Sequence, residues 1–176
     1  NISARLNDTI PKKAPSLFLI DAQENQLKGL KNLIEGVATN IIIKPSVQGA
    51  ITHLNGKPID EIEIDKGSEW AVRSHRRLSY AAHIPELVAV SKGKWWDVSY
   101  NGKPLVSLDE GLSDGLKVGI GDEITFNIMG KVIEAEIANL RKVDYSSFNI
   151  NFAVIFSGGV LDQFPKSYFV TLKVDD

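Results

Sequence analysis

The 176-residue sequence contains no cysteine, which excludes disulfide bonds and thiolate metal sites. Histidine is scarce as well, with His53, His75 and His83 as the only three. They lack the i,i+4 spacing of a helical zinc pair, and the sequence has no HExxH motif. We therefore predict no metal site and no cofactor, and we interpret His83, close to Pro85, as a loop or surface histidine.

Neither sign of charge is in clear excess, since 20 basic and 22 acidic side chains give a formal net charge of −2. A nucleic-acid surface would need a strong basic excess, so we predict no nucleic-acid partner. No apolar run reaches the roughly 18–20 residues of a membrane span. The sequence begins without an initiator methionine or a signal peptide. We expect it to be a piece of a longer protein.

The motifs of nucleophilic catalysis and phosphate binding are also missing, since the sequence has neither GxSxG nor GxxxxGK[ST]. "FSGGV" (156–160) contains only a glycine pair typical of a turn. "GIGDEI" places Gly119 and Gly121 between a loop and a strand, so no helix N-terminus follows to hold a phosphate. We interpret these glycines as a tight turn, and we assign no catalytic, cofactor-binding or substrate-binding residue.

The first third of the chain reads as strand, helix, strand and strand. "PSLFLID" (15–21) predicts a strand, and Asp21 is a plausible N-cap for the helix that follows. Gly36 is placed where a helix ends. "VATNIIIKPSVQGAITHLNGKPI" predicts two strands broken at proline, then a turn at Asn55–Gly56. The helix should bury residues at helical spacing: Leu27, Leu30, Leu33 and Ile34.

The strongest pattern lies in residues 88–144. Ser107 and Glu110 have the spacing of a capping box for a short helix. "EITFNIM" and "KVIEAEIANLRKV" alternate apolar and polar residues, which predicts a hairpin that turns at Gly130, as in an antiparallel sheet or small barrel. In the tail, "NFAVIF" (151–156) predicts a buried strand, "SGGVLDQFP" a turn with a short helix, and "SYFVTLKV" a last strand. The overall prediction is an α+β fold, with an α/β subdomain from both chain ends and an inserted β-rich subdomain.

Acidic side chains are the remaining candidates for chemistry, because a hydrolase could use two facing carboxylates. Glu61 and Glu63 alternate with isoleucines as in a half-exposed strand, which favours a structural role. The hydrolase remains an alternative, as does a ligand-binding module with an apolar cleft between its subdomains. The candidate carboxylates are Asp60, Glu61, Glu63, Asp65, Asp109, Glu110, Asp122 and Glu123.

Two further segments suggest contacts rather than catalysis. "RSHRR" (73–77) is a basic cluster that suits a solvated face, anionic lipid headgroups or an acidic partner. Trp95 and Trp96 are costly to leave exposed, so we predict that they anchor a core, with an interface as the alternative. Replacing either tryptophan with alanine should cost about 3–5 kcal/mol.

Several phrases, in their order along the chain, resemble bacterial ABC transporter permeases of the MacB/FtsX-like superfamily, in particular the YbbP-type branch. The resemblance runs from about Ala14 to Thr171. The phrases are "APSLFLID", "AITHLNGKP", "RRLSYAAHIPE", "SKGKWW", "VSLDEGLSDGLKVGIGDEITFNI", "IANLRKVDYSSFNINFAVIFSGGVLDQFP" and "SYFVT".

The resemblance implies the second large extracytoplasmic, periplasmic domain of such a permease. It implies a porter-like α/β subdomain (1–66 and 149–176) and an inserted Sabre-like β-rich subdomain (67–148). The implied function is non-enzymatic mechanotransmission, which couples transmembrane helix motion to a substrate or partner outside the bacterial inner membrane. The implied partners are flanking transmembrane helices of the same permease, an ATPase on a separate cytoplasmic subunit, and a lipid or periplasmic protein.

Overall fold

A computed structural model describes residues 16–144 and 150–174 of the chain. These residues are mainly strand, with two α-helices, and they divide into two compact units. The first unit holds the described residues up to Ser46, Ile150 and those from Lys166 onward, and the second holds 47–144 and 151–165. The secondary-structure content is compatible with the predicted α+β class, although strands predominate. The first unit ends at Ser46 and the second begins at Val47, whereas the predicted subdomain boundary follows residue 66. The porter-like and Sabre-like subdomains stay a prediction.

The first unit is an antiparallel sheet packed against one helix. Its strands are β1 (Ser16–Gln23), the first part of β2 (Ala38–Leu54), and β10 (Ser167–Val174), which lies between the other two. Helix α1 (Glu24–Ile34) buries Leu30 and Ile34. Strands from both ends of the described chain therefore share one sheet. The small core of this unit consists of Ala22, Leu30, Ile34, Val170 and Leu172.

Helix α1 begins two residues later than predicted. Its N-cap is Gln23, whose backbone N–H donates to Gln26 Oε1 at 3.0 Å, and Asp21 remains in β1. The reason is that β1 pairs with β10 as far as Gln23. Gly36 has a φ of +86°, which confirms the predicted glycine at the helix end. Leu33 is 44% exposed, so it does not share the buried face. Pro15, predicted to begin β1, lies outside the described residues.

Strand β2 is continuous, and the predicted break at its proline is wrong. Pro45 lies opposite Tyr168 of β10. Pairing with β10 ends at the next residue, Ser46, and pairing with β4 (Arg76–Tyr80) begins at Val47. A residue without an N–H is tolerated where a ladder changes its partner strand. Beyond β2, Asn55 and Gly56 have φ values of 50° and 77°. They form the predicted two-residue turn into β3 (Lys57–Pro58).

The second unit contains a closed ring of six strands. Strand pairing runs from β2 to β4, β9, β6, β8 and β7, and returns to β2. Two of these pairings are parallel, β4 with β9 and β6 with β8. Strand β5 pairs with β8. The strands are β4 (Arg76–Tyr80), β5 (Val88–Gly93), β6 (Leu105–Asp109), β7 (Glu123–Ile128), β8 (Lys131–Val143) and β9 (Val154–Phe156).

The core of the second unit is drawn from the ring strands and from helix α2 (Glu110–Leu116). Phe126 and Phe156 pack edge to face, with ring centroids 4.9 Å apart. The N-cap of helix α2 is Asp109, whose Oδ2 accepts a hydrogen bond from Leu112 N at 3.2 Å. The predicted N-cap at Ser107 is therefore wrong. Strand β6 extends to Asp109 because it pairs with β8 that far, so Ser107 is buried within the strand.

The predicted hairpin of β7 and β8 is confirmed. Its turn consists of Met129 and Gly130, with φ values of 50° and 86°. The tail departs from prediction, because only Val154–Phe156 of "NFAVIF" is a strand. "SGGVLDQFP" forms turns rather than a helix, with Asp162 N donating to Gly159 O at 3.3 Å. The φ of +90° at Gly159 is incompatible with a continuous helix.

The segment around Glu61 and Glu63 is not a strand. It consists of a 3-10 turn (Ile59–Glu61), an irregular stretch and a second 3-10 turn (Lys66–Ala71). Ile62 and Ile64 are partly buried against the core. The isoleucines therefore alternate with the glutamates because they contact the core, although the segment is not part of a strand.

Candidate functional site

The candidate carboxylates lie on several elements, and most of them are exposed. Asp60, Glu61, Glu63, Asp65 and Glu123 are exposed. Asp109 caps helix α2, Asp122 Oδ2 accepts from Gly119 N at 2.8 Å, and Glu110 lies in the first turn of α2 as predicted. Within 16–144 and 150–174, no three His, Cys, Asp or Glu residues are grouped so that they could hold a metal ion. These carboxylates cap turns and helices or face solvent.

The three histidines lie on separate elements. His53 is in β2, with Nδ1 2.8 Å from Thr52 Oγ1. His75 precedes β4 and His83 follows it, and both are exposed. Exposure of His83 agrees with its interpretation as a surface residue.

The glycine-rich stretch after α2 is a turn that satisfies its own polar groups. Lys117 has a left-handed conformation and ends the helix. Asp122 N donates to Gly119 O at 3.1 Å, and Gly121, with a φ of +88°, donates its N–H to Ile137 O at 2.9 Å. The interpretation as tight turn geometry is confirmed. The backbone N–H groups of Gly119, Gly121 and Asp122 all have protein acceptors, so they are not free to hold a phosphate.

Trp95 and Trp96 pack against each other beyond the end of β5, with ring centroids 4.3 Å apart. Their indole N–H groups donate to consecutive carbonyl oxygens, Trp95 to Ala82 and Trp96 to Ala81, each at 2.8 Å. Trp96 is buried, whereas Trp95 is partly exposed. The predicted anchoring role fits Trp96, and the pair fastens the segment after β5 to the segment after β4.

A buried polar network, which the sequence reasoning missed, joins β6 and β8. Arg141 is fully buried, and its Nε donates to Ser107 Oγ at 2.7 Å. Its Nη2 donates to the carbonyl oxygens of Ser107, Phe152 and Ala153 at 3.2, 2.9 and 3.1 Å. Ser107 Oγ in turn donates to Asn139 Oδ1. The guanidinium thus ties β6, β8 and the chain before β9 together.

The predicted basic cluster is not a uniform patch. Arg73 pairs with Glu69 one helical turn earlier. Arg76 Nε donates to the backbone oxygen of Trp70 at 2.6 Å, and its Cζ lies 5.2 Å from the centroid of the Trp70 ring. The Trp70 side chain is 46% exposed. An exposed aromatic ring and an oriented guanidinium therefore share one surface of the second unit.

An open groove lies at the start of β5 and the end of β8. It is lined by Leu87, Val88, Ala89, Lys142, Val143 and Asp144. Leu87 is 63% exposed and has a φ of 59°. With one carboxylate in the lining, the groove lacks the facing pair that glycoside hydrolysis needs.

Comparison with known proteins gives one informative match. The chain is 29% identical over 170 residues to the "Uncharacterized ABC transporter permease YbbP" of Escherichia coli (strain K12). The chain is similar to part of an ABC transporter permease. The match covers 96% of this chain and 20% of the length of the permease. No protein-family model matches the chain.

The match confirms the predicted resemblance to a YbbP-type permease, and the MacB/FtsX-like superfamily stays a prediction. Within the part of the chain that the structure describes, no helix is both long and apolar enough to cross a membrane.

Proposed function

We propose that this chain is a non-catalytic extracytoplasmic domain of an ABC transporter permease. The similarity to one fifth of a permease, over nearly all of this chain, carries the proposal. Transmembrane helices of the same permease flank the domain, and the ATPase is on a separate cytoplasmic subunit. The domain transmits ATP-driven helix motion to a substrate or partner outside the inner membrane, such as a lipid or a periplasmic protein.

The pairing of β1 with β10 supports a domain attached at both ends. Ser16 lies directly opposite Val174, in neighbouring antiparallel strands. Opposed residues of such strands are about 5 Å apart between Cα atoms. Two transmembrane helices attached to these strand ends would leave the sheet at the same end. A displacement of either helix would act on the hydrogen bonds between β1 and β10.

The alternatives receive less support. A hydrolase needs convergent carboxylates, and the candidate carboxylates are dispersed over turns, a helix end and exposed loops. A ligand-binding module with a cleft between its subdomains stays a prediction without an observation in its favour.

The side of the membrane can be tested by cysteine labelling, because the chain has no cysteine of its own. Asn101 is exposed, so Asn101→Cys in the full-length permease, with any other cysteines replaced, gives one reactive position. A membrane-impermeant maleimide should label it in cells whose outer membrane alone is opened. Ser157→Cys is the control, because Ser157 is fully buried and should react only after denaturation. Labelling of Asn101→Cys only after the inner membrane is broken would contradict the proposal.

Coupling can be tested with an environment-sensitive fluorophore on the same cysteine. In membranes that contain the permease and its ATPase, ATP should change the fluorescence. An ATPase with a disabled nucleotide site should abolish the change. An unchanged signal with the active ATPase, together with normal ATP hydrolysis, would contradict coupling at this domain.

A further inference from the structure

Trp70 is an exposed aromatic residue in the 3-10 turn Lys66–Ala71. Its side chain is 46% exposed, and its indole N–H has no acceptor among the described residues. Both tryptophans of the Trp95–Trp96 pair, by contrast, donate to backbone carbonyls. Tryptophan combines a large apolar surface with one donor, and it is enriched at the centres of protein interfaces.

Arg76 is held in a fixed orientation beside this ring. Its Nε donates to the Trp70 carbonyl oxygen at 2.6 Å, while the guanidinium lies over the indole at 5.2 Å from the centroid. These contacts leave the two Nη groups of Arg76, which donate to no described residue. Because the side chain is already ordered, less conformational entropy is lost when the Nη groups bind an acceptor.

We propose that Trp70 and Arg76 form a docking anchor for a partner protein segment in which a carboxylate lies beside an apolar side chain. The guanidinium accommodates a carboxylate through parallel N–H···O hydrogen bonds. The uncovered part of the indole packs against the neighbouring apolar side chain. Arginine and tryptophan are the residue types that most often dominate the free energy of such contacts.

The charge around the anchor favours a narrow peptide segment over an anionic bilayer. Residues 60–77 contain five acidic side chains against four basic ones. A bilayer presents a broad plane of negative charge, and a segment with a slight acidic excess does not attract such a plane. A single peptide carboxylate needs only the Nη groups of Arg76 as donors. The acidic side chains are Asp60, Glu61, Glu63, Asp65 and Glu69, of which Glu69 pairs with Arg73.

Arg73 provides a matched control. It is three residues from Arg76 and carries the same charge, but its guanidinium is engaged by the Glu69 carboxylate. Replacement of either arginine with glutamine removes one positive charge from the same surface. Only Arg76→Gln removes the oriented donors that we assign to the anchor.

The test is a ¹⁵N NMR titration of the whole 176-residue chain with a capped Leu-Glu-Leu peptide and with its Leu-Gln-Leu counterpart. The glutamate peptide should shift the Trp70 indole N–H and Arg76 Nε–H resonances and saturate at about millimolar concentration. The glutamine peptide should not. Arg76→Gln should weaken binding by about tenfold or more, because it removes charge-assisted hydrogen bonds, whereas Arg73→Gln should change binding by less than about twofold.

The ring is tested by Trp70→Ala, which should weaken binding, and by Trp70→Phe, which should retain most of it. Unchanged Trp95 and Trp96 indole resonances show that each variant is folded. Equal shifts with both peptides, or equal losses for the two arginine variants, would overturn the proposal. So would binding only to phosphatidylglycerol vesicles, because that result identifies a bilayer contact. None of these results depends on the permease context.

Discussion

Replacement of Trp96 with alanine should lower the free energy of unfolding of the second unit by about 3–5 kcal/mol. Trp96 is only 7% exposed, so truncation removes nearly the whole packed ring and leaves a cavity. The Ala81 carbonyl oxygen also loses the indole N–H that lies 2.8 Å away. Trp96→Phe separates the two terms. It keeps most of the apolar surface and loses the hydrogen bond, so we expect a smaller cost of about 1–3 kcal/mol.

Trp95→Ala is the comparison for Trp96→Ala. The sequence predicts the same loss of stability for both variants, whereas the structure predicts a smaller loss for Trp95→Ala. Trp95 is partly exposed, so Trp95→Ala should cost about 2 kcal/mol, from its hydrogen bond to Ala82 and its contact with the Trp96 ring. Urea denaturation followed by tryptophan fluorescence is the appropriate assay, since all three tryptophans are in the second unit. The reasoning fails if Trp96→Ala unfolds within about 1 kcal/mol of the wild type, or if Trp95→Ala is the more damaging change.

Three further predictions concern the second unit. Arg141→Met should cost about 3 kcal/mol in urea denaturation, because it leaves buried backbone and hydroxyl oxygens without the guanidinium that donates to them. A near-neutral result would contradict the role of the network. Gly115→Ala should destabilise by about 1–3 kcal/mol, because its Cβ would collide with Ser68 Oγ, and the cost should fall when Ser68→Gly is added. The backbone N–H of Ser99, and to a lesser extent its hydroxyl, donate hydrogen bonds to Asp97 and hold the pKa of this carboxyl below its ordinary value of 3.8. The ionised Asp97 therefore stabilises the folded state above pH 3.8, and this stabilisation is lost as pH falls through the lower pKa of the folded state. Ser99→Ala should raise the pKa of Asp97 in a carboxyl NMR titration, and an unchanged pKa would rule out the hydroxyl as a cause.

Local elements could be predicted because their signals are local. The Asn55–Gly56 turn and the β7–β8 hairpin depend on residues that tolerate positive φ between alternating strands, and both are present. The first residues of helices α1 and α2 were predicted less accurately. Strands β1 and β6 extend to Gln23 and Asp109 because they pair with strands far away in sequence. Such pairing overrides a local capping signal.

The closed ring was not predictable from periodicity. Alternation shows which face of a strand is buried, but it does not identify the partner strand. The parallel pairing of β4 with β9 joins Ser79 to Ile155, and no turn residue specifies a contact over that separation. Chain segments whose alternation predicts a half-exposed antiparallel sheet therefore belong to a mixed ring with a largely apolar core.

The buried arginine did leave a signal in the sequence. In "KVIEAEIANLRKV", Asn139 and Arg141 fall on the same alternating face as Ala135 and Ile137, both of which are buried. Two polar residues that continue an apolar face predict either an exposed strand end or a buried network. Only the position of Ser107, on a neighbouring strand, distinguishes these possibilities, because its hydroxyl accepts from Arg141.

The Trp70–Arg76 anchor had no comparable signal. The two residues are six apart in a segment without periodicity, and neither helical nor strand spacing brings such a pair together. The contact depends on the chain leaving the 3-10 turn at Ala71 and entering β4 at Arg76, which returns the guanidinium to the Trp70 carbonyl and ring. In the sequence, "RSHRR" forms one basic cluster, whereas in the structure Arg73 and Arg76 have different partners. Arg73 pairs with the Glu69 carboxylate and Arg76 is oriented by Trp70, so the two guanidinium groups differ in which donors are available, although their charges are equal.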